Sequence, residues 1–498
     1  MENQILINVT FNETRVAVME NGSVAELYIE RKSTPRLVGN IYKGTVGKIV
    51  PGMQAAFIDI GIDKSGFISV EDVQEDTLYE YFLENDAEDT VQDINRQQNN
   101  LIQDILREGQ HVLVQVLKES VSGKGAKLSC YVAIPGKYLV LLGTIDIVGI
   151  SRKIEDSEVR ERLTEFLNKI KPEGVGLIAR TASAGITEEE LEYDLKELLS
   201  IWEGVKKSNE EKKSPSLIYE EPRLYLKAAR DFVSNAMTKI VVDSEEAYRE
   251  ITDYLKINFP DSIAEVELYN EPEPLFTKHS VENEIKKIFK KKVWLKSGGH
   301  IIIEEAEGLT VIDVNTGRYQ GGKGQEETIY NINVEAALEI VRQVRLRNLV
   351  GIVVIDFIDI KNRQLREGVY EQFVDALKHD RARSVVHEMT SFGVIQMTRQ
   401  RLRESILKEL ADPCFYCDGI GYLKSVDTIS YEIIRDIKKR LKKATSKKIT
   451  ILANSVVIKR LLDSEKDNLD RLKEQFGVEI EYKSSEERIE KYKITSSN

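Results

Sequence analysis

The sequence predicts an α+β protein of several domains, and three observations carry that reading. The chain has 498 residues, too many for one core and enough for about three domains. Its N-terminal third is a run of short strands punctuated by glycine, the pattern of a small β-barrel. From about residue 300, strands alternate with helices, the pattern of an α/β domain.

Residues 1–35 alternate apolar and polar around Asn21-Gly22, which predicts a β-hairpin. The segment "RLVGNIYKGTVGKIVPGMQAAFIDIGIDKSGFISV" continues with short strands and glycine turns, and "GQHVLVQVLKE" is a further strand. Together they read as a barrel of the OB type. The acidic segment 71–107 between them reads as an insertion, part helical and part mobile. A strand-rich unit containing "KYLVLL" and "GVGLIART" runs to about 181. Helices over 188–208 and 221–240 follow, joined by the linker "KKSNEEKKSPS". The α/β domain then reads as strand "HIIIEEAEGLTVIDVN", a glycine-rich loop, helix 333–348, strand "LVGIVVIDFIDI" and helix 362–378. A smaller α/β unit fills 425–498, and the chain has no internal repeat.

Hydrophobic residues make up 41% and charged residues 31%, the balance of a globular chain. "MENQILINVTF" lacks the basic start and apolar run of a signal peptide. No stretch reaches the roughly 18 apolar residues that span a bilayer. Three cysteines, an odd number, argue against a disulfide framework and for a reducing cytoplasm. The net charge of −12 argues against a nucleic-acid partner until its distribution is read. Glu71 to Asp93 holds ten acidic residues and no Lys or Arg, so it accounts for nearly all of the excess. Elsewhere Lys286, Lys287, Lys290, Lys291, Lys292 and Lys296 cluster, as do Arg399, Arg401 and Arg403. Local patches decide whether a polyanion binds. A lysine run alone is better read as a solvated helix face.

Asp313 and Asn315 lie two apart in "LTVIDVN" and so share one face of a strand. Asp356 ends the apolar strand "IVVID", with Asp359 just beyond. A carboxylate at the end of a buried strand needs a partner. Were the two strands neighbours, Asp313, Asn315 and Asp356 would form a hard oxygen cluster suited to Mg²⁺. In phosphodiester hydrolysis that ion polarises the phosphoryl oxygen and activates the attacking water. The same residues could equally be strand-end caps. Asp313-x-Asn315-x-Gly317 hints at a calcium loop, but Gly324 stands where Glu should. "GRYQGGKG" matches a phosphate-binding loop, with Gly324 in place of its Ser or Thr. A nucleotide hydrolase therefore remains an alternative, as does a non-catalytic RNA-binding protein. Phe57 and Phe67 in the barrel could stack bases, with Lys43 and Lys124 on phosphates. Arg180 and Thr181 place a guanidinium fork beside a hydroxyl, a grip for a terminal phosphate. Cys414 and Cys417 in "CFYCDGIG" are half of a tetrahedral zinc site.

The joint order of "GNIYKGTV", "AAFIDIG", "GKGAKLS", "GISRKI", "GLIARTA", "LTVIDVNTGR", "VRLRNLVGIVVIDFIDI", "DRAR", "RQRLR" and "CFYCDGIG" resembles the ribonuclease E/G family over nearly the whole chain. The resemblance implies a Mg²⁺-dependent endoribonuclease acting on single-stranded, AU-rich RNA and stimulated by a 5′-monophosphate end. Its products would carry 5′-phosphate and 3′-hydroxyl, and its work would be rRNA and tRNA processing and mRNA decay. It implies Asp313 and Asp356 as Mg²⁺ ligands with Asn315 orienting them, and Phe57, Phe67 and Lys124 as RNA-binding residues. It implies Gly136, Val140, Arg152, Arg180 and Thr181 as the 5′-phosphate pocket. Cys414 and Cys417 would share one zinc with the same pair of a second protomer, giving a homodimer, with a tetramer left open. No nucleotide cofactor is expected.

The domains implied are an RNase H-like domain (1–35 with 226–288), an S1-type OB-fold domain (36–130), a 5′-sensor region (131–225), a DNase I-like catalytic domain (289–410), a zinc link (411–424) and a small C-terminal domain (425–498). The acidic insert departs from the family and could repel RNA or gate its access. A scaffold tail after Asn498 is missing, which favours the family's short form.

Overall fold

Asn21 and Gly22 both take positive φ, 50° and 75°, as a two-residue turn between right-twisted strands requires. They join β2 (Glu13–Glu20) to β3 (Ser23–Arg31), and β1 (Asn3–Val9) pairs antiparallel with β2. The expected hairpin is thus part of a three-stranded meander. The computed structural model describes residues 3–33, 36–73, 101–118, 125–151, 153–154, 156–232, 238–258, 264–317, 325–400, 403–442 and 448–497. The expectation of an acidic insertion, part helical and part mobile, falls largely outside them. The chain divides into two units, Met1–Glu409 and Leu410–Asn498.

The barrel is built from β4 (Ile41–Val50), β5 (Ala55–Asp59), β6 (Gly66–Ser69), β7 (His111–Lys118) and β8 (Lys127–Ser129). The order β4-β5-β6-β8-β7 closes through a direct β4–β7 pairing. Closure needs small residues where strands crowd. A Cβ on Gly66 would sit 2.4 Å from the Leu128 side chain.

A second, four-stranded sheet follows, from β9 (Ala133–Pro135), β10 (Leu139–Leu142), β11 (Val148–Ile150) and β12 (Gly176–Ala179). Helix α1 (Ser157–Ile170), capped by Asp156, and helix α2 (Glu188–Glu211) accompany it. Thr187 and Glu190 form a reciprocal cap at the start of α2. Leu191, Leu195, Leu198, Trp202 and Val205 form its buried stripe. The helix runs through Glu211, so half of the expected linker is helical. Lys, Asn and Glu tolerate a helix, and Lys43 from the barrel receives its last carbonyls. The Lys43 ammonium donates to the Asn209 carbonyl at 2.6 Å and the Lys212 carbonyl at 3.0 Å.

β13 (Ser216–Tyr219) extends the barrel sheet beside β4. Helix α3 (Leu224–Phe232) is shorter than the expected helix over 221–240, because 238–242 form strand β14 (Thr238–Val242). The β-branched run Ile240-Val241-Val242 favours a strand, and β14 pairs parallel with β1. Helix α4 (Glu245–Asn258) and β15 (Glu265–Leu268) complete a five-stranded sheet, β15-β14-β1-β2-β3. The chain's first strands and residues 238–268 thus share one sheet.

After helix α5 (Val281–Ile288) comes a six-stranded sheet. Its strands are β16 (Lys292–Trp294), β17 (His300–Glu305), β18 (Leu309–Asn315), β19 (Gly351–Asp356), β20 (Ser384–Val386) and β21 (Val394–Arg399), in the order β16-β17-β18-β19-β21-β20. The stretch expected as one strand is two, turning at Ala306–Gly308. Helices α6 (Gln325–Leu346) and α7 (Arg363–Leu377) pack with one face around Ile312, Val353, Ile355 and Phe373. α6 begins eight residues before the expected start. Alternation leaves the other face open, with Val311 and Ile352 exposed.

Buried charge joins this sheet to its surroundings. Arg345 on α6 reaches Glu20 and Glu26 of the N-terminal sheet at 2.5 and 2.8 Å. Arg399 donates to both carboxylate oxygens of Asp380, at 2.6 and 2.9 Å, and to Asn348 Oδ1 at 2.9 Å.

In the second unit β22 (Lys448–Asn454) lies between β23 (Glu479–Ser485), parallel, and β24 (Tyr492–Ser497), antiparallel. Its helices are α8 (Val426–Leu441), α9 (Ser455–Ser464) and α10 (Lys466–Phe476). Ile433, Ile437, Ile451 and Leu461 lie in its core.

Replacing Asp380 with alanine strands a buried guanidinium. The expected loss is about 3–5 kcal/mol, read by denaturant unfolding of the 1–409 unit. A loss under about 1 kcal/mol, the worth of a surface pair, would show that Arg399 does not depend on it.

Candidate functional site: carboxylates on an open sheet face

β18 and β19 run parallel, and their register sets Asp313 directly beside Asp356. Both neighbouring chain segments hold that register by burying Ile312, Val314, Val353 and Ile355 on the opposite face. The Asn315 amide donates to Asp313 Oδ2 at 2.7 Å, which orients that carboxylate. Partial burial pushes the Asp356 carboxyl up from its ordinary value, and the negative charges of Asp313 and Asp359 add to the effect. This is the electrostatic signature of a site that favours a cation. Among the described residues no group of three or more His, Cys, Asp or Glu side chains is arranged to hold a metal. Two carboxylates suit Mg²⁺ nevertheless, since that ion keeps several waters and takes few protein ligands. The donor set therefore fits it. The glycine-rich stretch 318–324, including Lys323, lies outside the described residues. Strand β18 precedes it and helix α6 follows it.

The row continues across the sheet into residues that sequence reasoning missed. His300 lies opposite Asn315, and Trp294 opposite His300. Facing partners project to the same side, so both share the open face with the carboxylates. The rings of Trp294 and His300 are 5.3 Å apart, and Lys292 Nζ lies 4.0 Å from the Trp294 ring centre. Burial and then Lys292 lower the His300 pKa, against a smaller opposing pull from Asp313. The available signal was the turn Ser297-Gly298-Gly299, which marks a hairpin between Trp294 and His300.

On the barrel, Phe57 and Phe67 face each other across β5 and β6, edge to face at 6.0 Å. Phe57 is 37% exposed. Lys48 stands opposite Phe57 and Lys127 opposite Phe67, so the pair is flanked by two ammonium groups. An irregularity in β4 next to Gly47 sets Lys48 in that place. Lys127 also pairs with Asp72 at 3.0 Å. Lys43, expected on this surface, points to the end of α2 instead. Lys124 lies outside the described residues.

Arg180 directly follows β12 and donates to the Gly136 carbonyl and to Asp231, the latter at 3.3 Å. Thr181 Oγ1 is 2.9 Å from Ser151 Oγ. Val140 lies on β10 opposite Ile178. Gly136 cannot carry a side chain, because its Cβ would sit 2.6 Å from Asp194 Oδ2. Asp194 in turn accepts the backbone N–H groups of Lys137, Tyr138 and Leu139. The structure thus brings Gly136, Arg180 and Asp231 together. Arg152 lies outside the described residues.

In the second unit, Cys414 and Cys417 sit on an exposed turn held open by positive φ at Asp418, Gly419 and Gly421. Backbone N–H groups of Cys417 and Tyr416 lower the Cys414 thiol pKa, with help from the Cys417 side chain and Arg488. The Gly421 N–H donates to Cys417 Sγ at 3.2 Å. The N–H groups aimed at the Cys414 sulfur favour its thiolate, the form that binds zinc. Phe415 and Tyr422 beside them are 83% and 81% exposed.

A cavity of about 210 Å³ is lined by Glu26, Tyr28, Arg36, Arg345, Arg381 and Arg403 among others, away from the carboxylates. No described helix is long and apolar enough to cross a membrane.

Three family models match this chain. The model for "Ribonuclease E/G family" matches residues 133–402, that for "S1 RNA binding domain" residues 37–131, and that for "RNase E/G, Thioredoxin-like domain" residues 413–496. Ribonuclease G of Haemophilus influenzae is 37% identical over 470 residues, 94% of this chain and 93% of that protein. Ribonuclease G of Escherichia coli K12 is 36% identical over 497 residues, 98% of this chain and 99% of that protein. Ribonuclease E of Haemophilus influenzae is 36% identical over 483 residues, which cover 96% of this chain and 50% of that longer protein.

The raised Asp356 pKa has a measurable sign. Its charged form is disfavoured in the folded state, so folding carries a cost at pH 7 that vanishes below the ordinary carboxylate range. Asp356→Asn should therefore raise Tm in metal-free buffer at pH 7, lose that advantage near about pH 3, and lose it at pH 7 when Mg²⁺ is added. Equal melting of both proteins under all three conditions would remove the charge conflict.

Proposed function

The chain belongs to the ribonuclease E/G family, and from that membership we propose that it is a Mg²⁺-dependent endoribonuclease acting on single-stranded, AU-rich RNA. The observation that carries the reading is the in-register pair Asp313 and Asp356 on an open sheet face. An open face admits an extended polymer in a way that an enclosed pocket does not. Asp313 and Asp356 would hold the ion, and the Asn315 amide fixes the orientation of Asp313. When bound, Mg²⁺ supplies positive charge to the phosphoryl oxygen and activates the attacking water. Attack on phosphorus breaks the P–O3′ bond, and the proton passes to O3′. One product keeps a 3′-hydroxyl and the other a 5′-phosphate.

The barrel supports single-strand preference, because Phe57 and Phe67 can stack only bases that are unpaired. Lys48 and Lys127 lie where a backbone would pass. Arg180 and Thr181, with Gly136, Val140 and Arg152, form the proposed pocket for a 5′-monophosphate. The guanidinium is held by the Gly136 carbonyl, while its contacts to Asp231 are long, at 3.3 Å, and a phosphate is the stronger acceptor that would replace them. The five-stranded N-terminal sheet is read as the RNase H-like domain and the six-stranded sheet as the DNase I-like domain. Cys414 and Cys417 would share a zinc with the same pair of a second protomer, closing a tetrahedral site. The exposed Phe415 and Tyr422 would be covered in that dimer. The setting proposed is the cytoplasm, and the role is rRNA and tRNA processing and mRNA decay.

One assay tests the core of this. A labelled AU-rich oligonucleotide is offered with Mg²⁺ and no nucleotide, carrying either a 5′-monophosphate or a 5′-hydroxyl. Wild type should cut the monophosphate form faster. Asp356→Asn should lose at least about a hundredfold in rate while still binding RNA. No cutting by wild type in Mg²⁺ would overturn the reading.

The zinc link has its own outcome. Cys414→Ser with Cys417→Ser should contain no zinc by elemental analysis and halve the mass by light scattering. A wild-type dimer purified free of zinc would exclude the shared site.

A further inference from the structure

The edge of the catalytic sheet carries an aromatic side chain that the proposed function has not used. Trp294 on edge strand β16 is 64% exposed. The chain has two tryptophans, and the other, Trp202, is buried in α2. An indole is a large apolar surface to leave in water. Here it is held in place rather than covered. The Lys292 ammonium lies 4.0 Å from its ring centre, and the His300 ring 5.3 Å away at 55°.

Register decides where this group points. Trp294 pairs with His300 and His300 with Asn315, while Lys292 pairs with Ile302 and Ile302 with Asp313. Two adjacent rows therefore run from Trp294 and Lys292 to the carboxylates on one face. β16 lies two strand spacings from β18, so the indole is about 10 Å from the Asp313 strand. The surrounding charge is positive. Lys290, Lys292 and Lys296 are exposed and form no ion pair among the described residues. That complementarity favours a polyanion as occupant.

We propose that Trp294 is a stacking platform for an unpaired RNA base close to the scissile phosphate, with Lys292 meeting the adjoining backbone phosphate and His300 holding the indole in position. The inference rests on the endoribonuclease reading and deepens it. It assigns a second aromatic contact, separate from Phe57 and Phe67 on the barrel. A stacked base near the cut fixes the strand's path over Asp313 and Asp356, so cleavage should respond to the stacking strength of the nucleotide there.

Because Trp202 is buried, Trp294 reports directly on occupancy. Full-length Asp356→Asn protein, which binds without cutting, is titrated in Mg²⁺ with a 5′-monophosphorylated single-stranded oligonucleotide. Binding is followed by oligonucleotide anisotropy and by tryptophan emission. Saturable quenching should track the anisotropy, and Trp294→Ala in the same background should abolish the quenching. In the cleaving enzyme, Trp294→Ala should raise KM between roughly fivefold and a hundredfold, the range of one base–aromatic stack, with kcat changed far less. Trp294→Phe should recover most of the loss. RNA bound by anisotropy with no change in emission, or an unchanged KM in Trp294→Ala, overturns the inference and leaves the endoribonuclease reading intact. A change of mass on light scattering with unaltered RNA binding assigns Trp294 to a protein interface and also overturns it. Wild type that neither binds nor cuts RNA removes the functional reading and this inference together.

Discussion

Two like charges placed side by side are the constraint on which the rest of this molecule turns. The parallel pairing of β18 with β19 sets Asp313 beside Asp356. Repulsion between them opposes that register, and nothing in the carboxylates themselves would maintain it. The maintenance comes from the far side of the same strands, where Ile312, Val353 and Ile355 are fully buried against α6 and α7. Because side chains alternate, a one-residue slip would bring the carboxylates into that core and the aliphatic residues out. The cost of moving two carboxylates into an apolar core far exceeds their mutual repulsion in water. The hydrophobic face thus holds the polar face in an arrangement that the proposed cation would relieve.

The same device recurs on the barrel. Lys48, Phe57, Phe67 and Lys127 come from four strands, yet cross-strand register lines them up in one row. In both places a binding surface is assembled from residues distant in sequence by backbone hydrogen bonding, with one face buried to lock the register. The cluster around Arg180, proposed above to hold a terminal phosphate, is built differently. Gly136 and Arg180 are brought together at strand ends by Asp194 and Asp231, so carboxylates rather than register shape it. Such a cluster can rearrange around a phosphate more easily than a sheet can.

Buried ion pairs connect these surfaces within the first unit. Arg345 reaches from α6 to Glu20 and Glu26 of the N-terminal sheet, and burial of Glu26 is offset by that guanidinium and by the Tyr28 hydroxyl, which together hold its pKa down. Arg403 lies over the Tyr28 ring at 4.1 Å and donates to the Leu27 carbonyl at 2.7 Å. Desolvation lowers the Arg403 pKa while nearby Tyr28, Glu409 and Glu26 oppose it. Charges buried in this way tolerate few alternative geometries, so they set the N-terminal sheet against the six-stranded one.

Local patterns in the sequence were sufficient for the turn at Asn21-Gly22, the glycine-punctuated barrel, the strand–helix alternation after 300, and the pairings of Asp313 with Asn315 and Cys414 with Cys417. Each depends on period, turn chemistry or short spacing, which neighbouring residues determine among themselves. Other features depended on partners far away in the chain. Residues 238–242 became a strand because β1 offered an edge, and α2 ran on to Glu211 with Lys43 at its carbonyls. Lys43 therefore left the surface where its position had suggested phosphate contact. Trp294 and Lys48 could not be distinguished from ordinary exposed residues, since their significance lies in what stands opposite them. That Asp313 and Asp356 share one face could be anticipated, but their adjacency belonged to the tertiary structure. Strand order is set by which apolar faces pack together across the whole domain, and no local stretch of sequence contains that information.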